Sequence, residues 1–287
     1  MKYIFKIIFF LFFSLKLFGT AQIPDWIIYQ GDTLPLYSCP LESYPDSELI
    51  KAENLFNSDR CFFTACWRSY VATWEIINNE LYLIKIQNAC YPTVAKNVAA
   101  SYNAGTEKDI SSAFADLKIL FPDRYKEGKV KADWVTGKMY SPKGELLYYI
   151  HQGFESIYEN EILFTIKNGI LLETKLLDNS KTRIKYTKND TLAIKFIAKN
   201  INVKNLPKSD TVKRKVYVQI VSTDDNGNID SVRVIKGVNK LYDNESMRVV
   251  KLIPEWDVIY RHGEKLNNYW IIPISFDLTN RHKQKKL

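Results

Sequence analysis

The dipeptide Asn168-Gly169 sits between two runs of strand-forming residues, Glu161 to Lys167 and Ile170 to Leu176. Both central positions of a type I′ turn need positive φ, which Asn and Gly accept. The pair therefore commits its flanks to an antiparallel hairpin. Upstream, Tyr70, Ala72, Trp74 and Ile76 alternate as one face of a strand, Asn78-Asn79 can turn the chain, and Leu81 to Ile86 reads as the return strand. Trp134 to Tyr140 and Glu145 to Ile150 flank Ser141-Pro142-Lys143-Gly144, a segment with turn chemistry. The spacing of Ile110, Phe114, Leu117 and Phe121 predicts one helix, ended by Pro122. Residues 60–178 thus read as mostly antiparallel β with one helix, after an irregular segment, 22–60, containing Pro24, Pro35, Pro40 and Pro45.

With 287 residues, 46% hydrophobic and 14% aromatic, the chain has material for about two packed domains. Its net charge of +8 is concentrated. Residues 180–215 hold eleven Lys or Arg against Asp190 and Asp210. Such a run invites a nucleic-acid reading, but the N-terminus points to export. Lys2 and Lys6 precede the apolar run Ile7 to Phe13, and Gly19 and Ala21 are small residues placed for cleavage before Gln22. This is the pattern of a secretory signal peptide. Its rival, an inner-membrane anchor, is disfavoured because Lys16 leaves an uncharged stretch shorter than the ~20 residues a bilayer needs. A periplasmic location follows as an expectation, with no nucleic-acid partner. Export would place Cys39, Cys61, Cys66 and Cys90 in an oxidising compartment, where two disulfides with three alternative pairings are expected. Free thiols and zinc are the alternatives. The Cys61–Cys66 step fits zinc poorly and no His is near in sequence.

Beyond Asp190 the elements fall into a definite order. Leu192, Phe196, Ile197 and Ile201 share a helical face, with Asp190 as the expected N-cap. Val216 to Val221 is a strand, Asp224 to Asn228 a turn, and Ile229 to Lys236 a second strand. Leu241 and Asp243 open a helix carrying Met247, Val250 and Leu252, which Ile253-Pro254-Glu255-Trp256 stops. Gly263-Glu264-Lys265 is a turn, and Trp270 to Leu278 the closing strand. The combination of a D-x-x-G turn, a V-x-V strand, a P-x-W helix stop and a closing P-I-x-F resembles the TonB C-terminal domain family over residues 190–278.

The resemblance implies an α+β, helix-β-β-helix-β domain with a three-stranded antiparallel sheet, which here follows the β-rich antiparallel domain read from the hairpin pattern, so the whole chain is expected to be α+β. It also implies a periplasmic domain that takes a segment of an envelope or outer-membrane protein as an added strand beside its last strand. On this chain that edge is Tyr269, Trp270, Ile271, Ile272, Pro273, Ile274, Ser275 and Phe276. A homodimer is a second association the resemblance leaves open. Energy-coupling members keep an anchor and a Pro-rich spacer. Here only Pro207 lies between Pro142 and Pro254, and Leu206-Pro207 replaces the Tyr-Pro pair of the domain's entrance. The expected organisation is a signal peptide (1–21), a β-rich disulfide-containing domain (22–178), a basic linker (179–189), the TonB-like domain (190–279) and a basic tail (280–287).

Other candidate sites read more simply as structure. Asp224 to Asp230 lacks the closing Glu of a calcium loop, since Arg233 takes that place. His151, Glu155, Glu159 and Glu161 come without any nucleophile, zincin or phosphate-binding motif. Trp67, Arg68 and Trp74 could hold a sugar or aromatic ligand, although Trp in a β core is commoner. The 180–215 stretch could touch anionic polymer or lipid, although a solvated face is simpler. No cofactor or metal is expected. The leading expectation is a non-enzymatic, peptide-binding envelope protein. An anchored energy transducer and an enzyme with an unrecognised site in residues 22–178 are the alternatives.

Overall fold

The computed structural model describes residues 19–56, 64–89, 113–204, 206–207, 212–267 and 270–277. It is a mixed α+β structure, rich in strand. It divides into two compact units, one of residues 1–157 and 162–176, the other of residues 158–161 and 177–287.

In the first unit, β1 (Asp25–Tyr29) and β2 (Asp32–Leu36) form a hairpin through Gln30 and Gly31, whose φ values are 54° and 89°. β3 (Tyr70–Ile77) and β4 (Glu80–Asn88) form the expected hairpin, and positive φ at Asn78 and Asn79 supplies the turn. A short helix, α1 (Ala52–Phe56), lies in the connection between β2 and β3. β5 (Tyr125–Lys126) pairs with β6 (Lys129–Lys131), which pairs in turn with β4. With β7 (Gly137–Tyr148), β8 (Ile157–Lys167) and β9 (Ile170–Asp178) they form one sheet, ordered β2-β1-β3-β4-β9-β8-β7. The two end strands approach each other, since Tyr37 N–H donates to Tyr140 O at 2.7 Å, so the sheet curls back on itself. Ile27, Leu36, Tyr70, Trp74, Leu83 and Phe164 fill its core.

Four expectations are corrected. Residues 22–60, expected to be irregular, hold the β1-β2 hairpin and α1, because Gln30 and Gly31 accept the positive φ of a tight turn. The sheet is mixed, because β1 runs parallel to β3, with Trp26 opposite Thr73 and Ile28 opposite Glu75. A parallel neighbour needs a crossover rather than a tight turn, and residues 37–69 supply one. Ser141-Pro142-Lys143-Gly144 does not end the strand; β7 continues through it, with Gly144 at φ 87°. Its Pro is tolerated because β7 is an end strand of the sheet path, where a missing N–H costs least. Of the expected helix over 110–121, the described residues 113–121 form only α2 (Leu117–Leu120). Phe114 instead bridges to Gln87, and Asp116 caps α2 by accepting from Lys118 N and Ile119 N. Ile110 lies outside the described residues.

The hairpin at Asn168-Gly169 forms as expected, with φ of 49° and 73°. A Cβ on Gly169 would come within 2.7 Å of the Ala132 carbonyl oxygen, so glycine is required twice over.

The second unit contains α3 (Asp190–Asn200), β10 (Arg214–Thr223), β11 (Ile229–Lys236), α4 (Lys240–Lys251), the small strands β12 (Tyr260–Arg261) and β13 (Glu264–Lys265), and β14 (Ile271–Phe276). Its sheet is antiparallel, in the order β11-β10-β14. Val216, Val218 and Ile220 of β10 and Ile272, Ile274 and Phe276 of β14 meet Ala193, Ile197, Tyr242 and Val249 of the helices in one core. Asn239 caps α4 through Leu241 N and Tyr242 N. The expected cap of α3 shifts by one: Asn189 holds the N-cap position without a side-chain bond, and Asp190 is the first helical residue. The buried face centres on Ala193 and Ile197, leaving Leu192 exposed.

The D-x-x-G turn and the P-x-W helix stop are one feature in space. Gly227, at φ 80°, lies so close to the Trp256 carbonyl that any Cβ would overlap it, and Trp256 N–H donates to Gly227 O at 2.7 Å. Residues 179–189, expected as a linker, are pinned. The Asp257 carboxylate accepts from the backbone N–H groups of Lys185, Tyr186 and Thr187 at 2.6–2.8 Å.

Candidate functional site

Among the described residues β14 ends the second unit's sheet, with β10 on one side only. Ile220 N–H donates to Trp270 O at 2.8 Å, and the register pairs Val218 with Ile272, Val216 with Ile274 and Arg214 with Phe276. In an antiparallel ladder each residue directs its N–H and C=O to the same side, alternating along the strand. The main-chain groups of 270, 272, 274 and 276 therefore face β10. Those of Ile271, Pro273 and Ser275 face away, along the outer edge. Pro273 supplies a carbonyl there but no N–H, the placement a strand proline favours. Ile272, Ile274 and Phe276 turn their side chains into the core, while Ile271, Pro273 and Ser275 are exposed. Trp270 is half-buried, and Tyr269 lies outside the described residues.

A groove of about 620 Å³ runs beside this edge. One wall is a single face of α3, made by Asp190, Ala193, Ile194, Ile197 and Ala198; the other is Trp270 to Pro273 and Ser275, with Trp256 also lining it. The lining is mainly apolar, and Ile194 and Ile271 are 60% and 52% exposed. The Trp256 ring stacks on Tyr186 at 4.7 Å, and its buried Nε1–H meets no acceptor among the described residues. The α3 wall was legible in part. The spacing of residues 190, 193/194, 197/198 and 201 marks a helical face, but sequence could not tell that this face lies beside an open strand edge.

The remaining candidates separate. Cys39 is half-buried and Cys66 buried, both free thiols; Cys61 and Cys90 lie outside the described residues. Burial pushes the Cys39 thiol up to about 12, and Cys66 Sγ lies 3.2 Å from Tyr70 O. Trp74 is buried, and its Nε1–H donates to Asp25, which also accepts from Arg68 and Ala72 N. Burial raises the Asp25 carboxyl above the ordinary carboxylate range, against the pull of those donors. His151 Nδ1 pairs with Tyr149 Oη at 2.9 Å. Glu161 is buried and is bonded by Asn179 Nδ2, His262 N and His262 Nδ1. Burial works to raise its carboxyl, but the His262 and Asn179 hydrogen bonds prevail and hold it below the usual range. Asp224 is occupied in closing its turn, accepting from Asn226 N, Asn228 N and Asn228 Nδ2. Among the described residues no helix is long and apolar enough to cross a membrane.

No family model, curated protein or solved structure matches this chain.

Proposed function

We propose that the second unit captures an extended segment of an envelope or outer-membrane protein by strand addition at β14, in the periplasm and without catalysis. One observation carries this reading: the outward N–H and C=O groups of Ile271 and Ser275, and the carbonyl of Pro273, run beside an apolar groove. An incoming strand satisfies those groups, and its alternate side chains enter the groove against Ile194, Ala198 and Ile271. Ala193 and Ala198 leave room for them. The succession of α3, β10, β11, α4 and β14 supports the resemblance to the TonB C-terminal domain, and the β12-β13 hairpin is an addition to that order. The pinned segment 179–189 supports a docking module rather than a tethered transducer.

A photoreactive residue tests the reading in intact cells. Placed at Ile271 or Ser275, it should yield adducts that mass spectrometry assigns to one contiguous segment of an envelope protein. Placed at Lys236 on β11, it should not. Equal labelling from both positions would overturn the proposal.

A further inference from the structure

The first unit carries a second cavity, of about 410 Å³, whose lining includes Glu42, Lys51, Glu53, Trp67, Arg68 and Tyr70. Trp67 is a large aromatic residue and is 62% exposed. Its neighbours are the reverse: the Arg68 side chain is 5% exposed and Tyr70 is 1% exposed. Arg68 Nη2 is committed to Asp25 at 2.9 Å and to the Ile23 carbonyl at 2.8 Å. Its Nε–H and the Tyr70 hydroxyl are buried without a hydrogen-bond partner among the described residues. A buried donor left unpaired costs free energy that a ligand's acceptor can return. Ser69, between them, holds φ at 62°, a left-handed conformation that a non-glycine residue keeps only where its surroundings impose it.

We infer that this cavity is a binding site for a neutral saccharide, with Trp67 as the stacking platform. This does not depend on the strand-addition reading. The local charges argue against an anion. Asp25 already balances Arg68, Lys51 is paired with Glu48 at 2.7 Å, and Glu42 adds a carboxylate. A pyranose ring matches what remains. Its C–H face lies on the indole, and its hydroxyl oxygens accept from Arg68 Nε–H and Tyr70 Oη–H. Its hydroxyl protons reach the Glu42 carboxylate. Trp74, the other tryptophan of this stretch, takes no part, since its ring is fully buried and its Nε1–H is bonded to Asp25.

The test titrates the full chain with glucose, N-acetylglucosamine and tri-N-acetylchitotriose, followed by saturation-transfer NMR and tryptophan emission. At least one sugar should give a saturable response. Trp67→Ala should weaken it about tenfold or more, and Trp67→Phe should retain part of it, the difference expected for one aromatic platform. Because Trp67 is exposed, both variants should melt with the wild type. Arg68 and Tyr70 are left unaltered because both are built into the core. Should Trp67→Ala unfold, saturation transfer from the Trp67 ring protons to the sugar, assigned with Trp67→Phe, decides the matter. No saturable response to any of the three sugars would overturn the proposal. So would unchanged affinity in Trp67→Ala, or displacement of the sugar by equimolar sodium acetate, which would mark an anion site at Arg68.

Discussion

Ser275→Pro separates main-chain capture from side-chain recognition. Ser275 is exposed, and its N–H lies on the side of β14 away from β10, so proline there removes no bond within the sheet. Folding stability should fall by no more than about 1 kcal/mol, from the narrower φ of proline. Binding should suffer more. Pro273 already leaves one gap in the outward donors, so Ser275→Pro leaves only Ile271 N–H on this edge. The lost bond is worth about 0.5–1.5 kcal/mol, and the ligand carbonyl stranded against the proline ring costs about 1–3 kcal/mol more. Together these weaken capture by about tenfold to a thousandfold. Ser275→Ala keeps the backbone and should change affinity by no more than about 0.5 kcal/mol. The assay is fluorescence polarisation with the peptide identified by crosslinking, alongside circular dichroism melts of each variant. A folded Ser275→Pro protein with wild-type affinity would refute strand addition at β14.

Ile194→Asp, on the exposed groove wall, should leave the melting temperature nearly unchanged and weaken peptide capture about tenfold, read in the same polarisation assay. Gly227→Ala places a methyl group into the Trp256 carbonyl at positive φ and should destabilise the second unit by about 1–3 kcal/mol or more, measured by urea unfolding. The Glu161 carboxyl is held below its ordinary value in the folded chain, so its stabilisation is present above the unfolded value of about 4.3 and is lost as pH falls below it. Thermal melts from pH 7 to pH 3 should show this acid limb flattened in Glu161→Gln. Intact-mass measurement of the envelope fraction should give a mature chain beginning near Gln22, and a retained Met1 would contradict cleavage.

Local signals were legible wherever backbone chemistry allowed one answer. Asn78-Asn79 and Asn168-Gly169 turn the chain because both residues accept positive φ, and the alternation of Tyr70 to Ile76 and of Ile272 to Phe276 named the buried faces. The succession of α3, β10, β11, α4 and β14 was legible from periodicity and turn residues, while the β12-β13 hairpin was not. Signals failed where a distant partner outbid a local preference. Ser141 to Gly144 carries turn chemistry yet continues β7 within a larger sheet, and Phe114 leaves a helical pattern to bridge Gln87. The pairing of β1 beside β3 was equally unreadable, because the long connection over residues 30–69 leaves no local sign of which strand lies beside β1. The candidate sites divide along the same line. The closing strand could be named from Trp270 to Phe276, but only the folded unit shows which of its amides face outward and that α3 walls a groove beside them. Likewise Trp67 and Trp74 look alike in sequence, and packing alone buries one and leaves the other largely exposed. Exposure belongs to the assembled surface, and no residue carries it in its own chemistry.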